Sequence, residues 1–587
     1  MTRPLLILIL LTAATHAYAQ GGFPGGPPFV PGGGQGPGQG AAGRGQRPAR
    51  SQPQRDDAPR GTSVLRGQVV AADNGAPIRR AQIRIAAPDA RESRVATTDA
   101  QGRFEIKELP AGRYTMTASK GGFVSLQYGQ RRPTESGTPI ELGDNQTIDR
   151  ITIALPRGSV LGGRITDEFG EPVANAVVTA FRYAYAGGAR RLQPAGQNAR
   201  DTTDDQGRYR LFGLPPGEYY VSAILRSGSE AADPSGDVSG YASTYYPGTP
   251  NAGDAAAVKL ALAQENNGVN FALIATKLVR VSGQMLASDG TPAANGIVML
   301  MPAGANGRAG AALGQGGAGN RVDQTGAFRI TNVAPGRYQV IGRAGGREFE
   351  LARMDLTVGT DDVTGLTLVT AAAASITGSV TSDTGEPMDF RASQLQVSAR
   401  SASPDTAAGP GFGPGAPPGR IGDDWTFALR NITDPVLIRA TAPQGWTLKA
   451  VVAGGQDVTD TPVEVPAGQT LSGVQVVLTK KVSALSGLVT DAKGTPVLDA
   501  TVVVFPVDEK LWTFQSRFIK AARPDQDGRY QIGSLPAQSY LIVALQGLED
   551  GQAGDPEFLA SIKEQAAKFA LGDGETKGVD VKLSALK

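Results

Sequence analysis

The sequence predicts an all-β protein: five tandem antiparallel β-sandwich units behind a disordered N-terminal tail. Three observations predict it. A two-part motif recurs five times along the chain, and an internal repeat fixes architecture before any local assignment is made. Apolar residues around each copy alternate with period two, the signature of half-buried strands. The chain has no Cys and a single His, so stability must come from apolar cores alone, without disulfides.

Residues 1–19 read as a secretory leader. Arg3 supplies the positive start, Leu5 to Leu11 the short apolar core, and Ala17-Tyr18-Ala19 the small-x-small cleavage site before Gln20. The apolar run is too short to span ~30 Å of hydrocarbon, and no later stretch is apolar enough to cross as a helix. The expected location is outside the cytoplasm: periplasm, cell surface or medium. Residues 20–61 form a Gly/Pro/Gln/Arg-rich linker that cannot bury enough apolar surface to fold. Arg44, Arg47, Arg50, Arg55 and Arg60 make its second half basic. It serves either as a solvated spacer or as a tether to an acidic surface. Net charge is +2 overall, and +1 without Arg3, so nothing marks a nucleic-acid partner.

The first part of the motif reads G-x-V/I-x-x-D/S-x-x-G-x-P. Its glycines are Gly67, Gly163, Gly283, Gly378 and Gly487, followed by Pro77, Pro172, Pro292, Pro387 and Pro496. Each glycine sits in a strand, as in Val64-Leu65-Arg66-Gly67-Gln68-Val69, and Gly-x-Pro ends that strand. The second part runs Asp99 to Tyr114, Asp204 to Tyr219, Asp323 to Tyr338 and Asp525 to Tyr540. Asp and Gly make a turn (Asp99 with Gly102, Asp204 with Gly207, Asp323 with Gly326, Asp525 with Gly528). Phe/Tyr-x-Ile/Leu then places two large residues on one face of a strand. Leu-Pro-x-Gly, as at Leu109-Pro110-Ala111-Gly112, makes the next turn, and Tyr opens the returning strand. The fourth copy has Gly422 at the Asp position and Trp425 at the Gly position but keeps Phe427, Leu429 and Ile432. Core spacing survives where turn residues change, so the motif serves folding. Each unit closes on an alternating strand such as Ile151-Thr152-Ile153 or Val579-Asp580-Val581. The units fall at 62–156, 157–276, 277–371, 372–480 and 481–587. The last carries a helical insertion near 555–571, with Phe558, Leu559, Ile562, Ala566 and Phe569 on one face.

These motifs resemble the carboxypeptidase regulatory-like domain, a transthyretin-like, immunoglobulin-like sandwich related to the B-type repeats of bacterial surface adhesins. The resemblance implies a carbohydrate-binding-like β-sandwich of about seven strands per unit. Peptidase activity does not follow from it. The zinc site of the attached peptidases needs His and Glu, and His16 lies in the leader. Asp204-Asp205-Gln206-Gly207 and Asp525-Gln526-Asp527-Gly528 look like half a calcium loop, but no bidentate Glu follows. Neither catalysis, nor a metal, nor a cofactor is expected.

Function should therefore lie where the copies differ. The Pro-to-Asp connection, with Gly422 standing for Asp in the fourth copy, spans 22, 32, 31, 35 and 29 positions. Insertions on one face of a repeat often mark its binding face. The candidate ligand-binding residues are the loop aromatics Tyr183, Tyr185, Tyr245, Tyr246, Trp512 and Phe514. Flat aromatics suit stacking on sugars or gripping a peptide; alternatively they fold back over their own sandwich. The expectation is a non-catalytic exported scaffold or adhesion-type protein whose partner is a polysaccharide or another cell-envelope protein. The alternative is a carbohydrate-binding protein.

Overall fold

The computed structural model describes residues 61–87, 92–196, 198–225, 238–302, 321–345, 349–404, 419 and 421–585. The leader, nearly all of the tail and most of the long connections of the third and fourth copies lie outside these residues. From residue 59 onward the chain is one compact unit.

Five opening strands organise it: Ser63–Ala71, Ser159–Thr166, Ala275–Leu286, Ala374–Ser382 and Ala484–Thr490. Each pairs antiparallel with the strand of its second motif, Arg103–Leu109, Arg208–Leu214, Ala327–Val333, Thr426–Ile432 or Arg529–Gly533. On its other side each opening strand pairs parallel with the strand that closes its repeat. This parallel pair is a departure from an all-antiparallel sandwich. Parallel neighbours need a crossover, and the chain supplies one by passing through the second sheet. There the Tyr strand pairs antiparallel with the strand after Gly-x-Pro, as Gly112–Ser119 does with Gln82–Ala87 and Gln538–Leu545 with Thr501–Pro506. Inward residues of the two sheets form a separate apolar core in each repeat. In the first, Leu65, Ile83, Ile85 and Met116 are fully buried. Each such side chain stabilises by roughly 1.5–3 kcal/mol.

The parallel pair explains the first glycine. A Cβ on Gly67, Gly163, Gly283, Gly378 or Gly487 would lie 2.2, 2.0, 2.0, 1.8 or 1.9 Å from the carbonyl oxygen of Ile151, Val269, Leu366, Val474 or Val579, on the closing strand or two residues before it. None of these glycines has a positive φ. Close approach of the neighbouring backbone, not conformational freedom, excludes a side chain there.

The second motif is equally spent on backbone. Oδ1 of Asp99, Asp204, Asp323 and Asp525 accepts two N–H groups, from the residues two and four positions on, at 2.8–2.9 Å. The glycine that follows has φ between +71° and +83°. Its carbonyl accepts from the opening strand, as Gly102 does from Val69 at 2.8 Å. In the fourth copy Trp425 takes the same left-handed conformation, φ +63°, and its carbonyl accepts from Val380 at 2.9 Å. Its ring packs edge-on against Phe390, centroids 5.4 Å apart, which offsets a strained turn. The Tyr hydroxyls of Tyr114, Tyr338 and Tyr540 donate to the carbonyl four residues back at 2.7–2.8 Å, and Tyr219 does the same.

The helix near 555–571 is shorter than expected. It runs Pro556–Ile562 behind Asp555, whose side chain accepts from Glu557 N–H. A 3-10 turn follows at Lys563–Gln565, and Ala567–Leu571 is a strand paired with Gln538–Leu545. Phe558, Leu559 and Ile562 are buried against the fifth repeat as the helical spacing implies. Phe569 instead stacks on Tyr540, centroids 5.7 Å apart. An open sheet edge beside Ala567-Lys-Phe-Ala-Leu won that segment for strand pairing.

Candidate functional site

The insertion of the second repeat is a β-hairpin. Ala176–Ala186 runs beyond its sheet, turns at Gly187-Gly188 with φ +65° and +77°, and returns as Ala189–Pro194. Period-two geometry puts Phe181, Tyr183 and Tyr185 on the sheet face opposite the core residues Val178 and Ala180. Tyr220, one position beyond the core residue Tyr219, lies on the same face, and Tyr245 joins through its pairing with Ser222. Tyr183 sits edge-on to Tyr220 with centroids 5.3 Å apart and carries the Arg190 guanidinium 5.3 Å above its ring. Phe181 lies 6.4 Å from Tyr245. Three of the six aromatics chosen from sequence thus share one face. Phe181 and Tyr220 were missed, although the pattern Phe181-x-Tyr183-x-Tyr185 carried the signal for the first.

The six aromatics differ in what they offer. Tyr183 is 37% exposed. Tyr245 is 7% exposed and lies against Phe181. Tyr246 turns to the other side and packs on Phe271 of the core, centroids 6.0 Å apart. Trp512 is 6% exposed; it lies against Phe505, and its indole N–H donates to the Pro506 carbonyl at 2.8 Å. Tyr245 and Trp512 therefore fold back onto their own repeats rather than face solvent, because burying so large an apolar ring outweighs leaving it wet.

Tyr185 and Phe514 lie where repeats meet. A Cβ on Gly187 would lie 2.6 Å from Pro404 Cβ of the fourth repeat and 3.8 Å from Phe514 of the fifth. One on Gly551 would lie 2.9 Å from the Tyr185 carbonyl. The Tyr185 hydroxyl meets the Gln552 side chain, and burial beside Asp555 and Glu549 raises its pKa. The connection of the fifth repeat, 508–524, reaches the fourth. Arg517 clasps Asp460 through Nε, at 3.0 and 2.9 Å, and donates to the Leu448 carbonyl at 3.2 Å. Arg523 reaches the first repeat, lying 3.6 Å from Glu135 and 3.0 Å from Asp499, while Arg131 adds a 3.4 Å contact to Asp499. Arg113 donates to the Arg523 carbonyl and Asp550 N–H to the Thr134 carbonyl, at 3.1 and 2.9 Å. The variable loops thus pack on one another around the fifth repeat.

The recurring polar residues serve the backbone. The repeated Asp and Tyr side chains are bonded to their own backbone. Among the described residues no group of three or more His, Asp or Glu is placed to hold a metal. What is shared between copies is the fold. Residues 64–156 and 160–263 match the carboxypeptidase regulatory-like domain.

These two regulatory-like stretches cover the first repeat and most of the second. A search of curated proteins found no match. Solved structures resembling this chain include a streptococcal ancillary pilin, 15% identical, covering 52% of this chain and 98% of that one with a TM-score of 0.19. GBS52, a minor pilin of Streptococcus agalactiae, is 16% identical over 36% of this chain and 95% of that one, TM-score 0.20. Catechol 1,2-dioxygenase from Acinetobacter is 18% identical over 15% of this chain and 38% of that one, TM-score 0.12. Among the described residues no helix is long and apolar enough to cross a membrane.

Proposed function

We propose that the chain is an exported, non-catalytic, multidomain scaffold or adhesion-type binding protein of the cell envelope. One observation carries this reading: the polar residues that recur between copies are consumed by their own turns and corners, so the repeat presents no reacting group. The leader motif at residues 1–19 supports export, and the variable loops support a role in holding surfaces together. The test is expression in a secreting host, followed by N-terminal sequencing and binding to envelope fractions. A mature start at Gln20 and saturable retention on envelope protein are expected. Retention in the cytoplasm with no envelope binding would overturn the reading.

Carbohydrate recognition is the second reading, favoured by the partly exposed Tyr183 beside Tyr220 and Arg190. A glycan array decides it. Binding lost in Tyr183→Ala supports it, and no binding to any oligo- or polysaccharide sinks it.

A further inference from the structure

The first and fifth repeats hold each other through polar groups. Arg523 faces Glu135 at 3.6 Å. The Arg113 guanidinium donates to the Gln531 carbonyl at 3.3 Å, and Asp550 N–H donates to the Thr134 carbonyl at 2.9 Å. The apolar cores of the two repeats stay separate clusters. At the centre of the contact Glu135 Oε2 and Arg523 Nε are buried without a hydrogen-bond partner. Such a contact selects its partner and register while stabilising little. An interface between domains that lacks a shared apolar core opens and recloses.

The first repeat is built to swing out whole. Its opening strand finds both its neighbours, Arg103–Leu109 and Thr147–Leu155, inside the repeat. Its core likewise draws on its own residues alone. The link to the second repeat is Pro156-Arg157-Gly158, between the strands Thr147–Leu155 and Ser159–Thr166. The next junction differs: Val238–Tyr241 of the second repeat pairs with Ala275–Leu286 of the third, so those two share a sheet. The fifth repeat keeps its hold on the fourth through Arg517 and Asp460. Opening the first repeat therefore bares two complementary surfaces and breaks no strand pairing of its sheets.

We propose that these surfaces also join two copies of this chain, the first repeat of each docking on the fifth repeat of the other. The closed monomer and the exchanged dimer contain the same contacts, and a two-fold dimer leaves no docking surface empty. What favours the monomer is the effective concentration of its own first repeat, of order millimolar. The dimer gains as protein concentration approaches that value. This self-association goes beyond the scaffold reading and does not depend on any envelope partner.

The chain has no Cys, so single Cys substitutions test the contact directly. Full mature chains carrying Thr134→Cys or Asp550→Cys are mixed, incubated at ~1 mM, diluted and joined with a short bis-maleimide. A 134–550 link can then form only between copies. Mass spectrometry should find it at least tenfold more often than 134–134 or 550–550 links. Adding Glu135→Arg to the Thr134→Cys chain should cut it at least tenfold. Links in equal proportion, or a 134–550 link unchanged by Glu135→Arg, overturn the proposal. If a variant fails to fold by circular dichroism, the wild-type chain decides by sedimentation velocity. Its dimer fraction should rise between ~10 µM and ~1 mM, and a monomer throughout overturns the proposal.

Discussion

Arg523, in the fifth repeat, is buried against Glu135 in the first, near the other end of the folded chain. The guanidinium lies 3.6 Å from the carboxylate, and both side chains are almost wholly out of water. Asp499 holds its other face at 3.0 Å. Yet Glu135 Oε2 and Arg523 Nε have no hydrogen-bond partner. A buried pair with unfilled bonds fixes register more than it stabilises. Removing one partner leaves the other charge stranded.

Arg523→Ala should weaken docking of the first repeat on the fifth by about 3–5 kcal/mol. Small-angle scattering should show an expanded particle while circular dichroism stays unchanged. The double replacement Glu135→Leu with Arg523→Met should restore the compact form, because neither charge of the pair is left stranded and Arg131 still faces Asp499 at 3.4 Å. An unchanged scattering profile for Arg523→Ala would mean that the contact holds nothing.

Gly378→Ala places a Cβ 1.8 Å from the Val474 carbonyl. The closing strand must move, at a cost of about 3 kcal/mol or more. Gly253→Ala meets nothing within 4 Å and should stay within about 0.5 kcal/mol of wild type. Urea titration of both variants checks the contrast.

The motif aspartates make stability depend on acid. Backbone N–H bonds, from Arg208 above all, hold the Asp204 carboxyl below its usual range; the Thr325 hydroxyl and the Ala327 N–H do the same for Asp323. A pKa lower folded than unfolded gives stability that is present above about pH 4, the unfolded value, and lost as pH falls through the folded one. Urea midpoints should be flat from pH 5 to pH 7 as far as these groups act, and should fall below about pH 4. The slope should flatten in Asp204→Asn with Asp323→Asn. An equal slope in that variant would remove the turns from the account.

Trp512→Ala empties a buried site against Phe505 and should destabilise the fifth repeat by about 3–5 kcal/mol. Tyr183→Ala, at a partly exposed ring, should leave the melting temperature within a degree or two. Only Tyr183 therefore serves as a clean probe of ligand binding.

Much of the fold was legible because its determinants are local. An alternation of Val and Ile reads as a strand wherever it occurs, and Asp-x-x-Gly closes a turn with its own atoms. The fourth copy was legible too: Phe427, Leu429 and Ile432 kept the spacing while Trp425 replaced a glycine. The site was legible only in part. Phe181, Tyr183 and Tyr185 fall on one face by strand period alone. That Trp512 points inward depends on the space beside Phe505, which no nearby residue reveals. Phe569 satisfied helical spacing and strand alternation equally, and the free edge of Gln538–Leu545 decided between them.

The sequence by itself determined the repeat, the strands and the turns, since these follow from side-chain period and from φ preferences within a few residues. Only the tertiary structure decided that each closing strand runs parallel to its opening strand. It alone decided that Glu135 meets Arg523 and that Tyr185 meets Gln552. Those choices depend on which surfaces come together across long stretches of chain. Surface complementarity and the pairing of buried charge select among many arrangements that share the same local pattern.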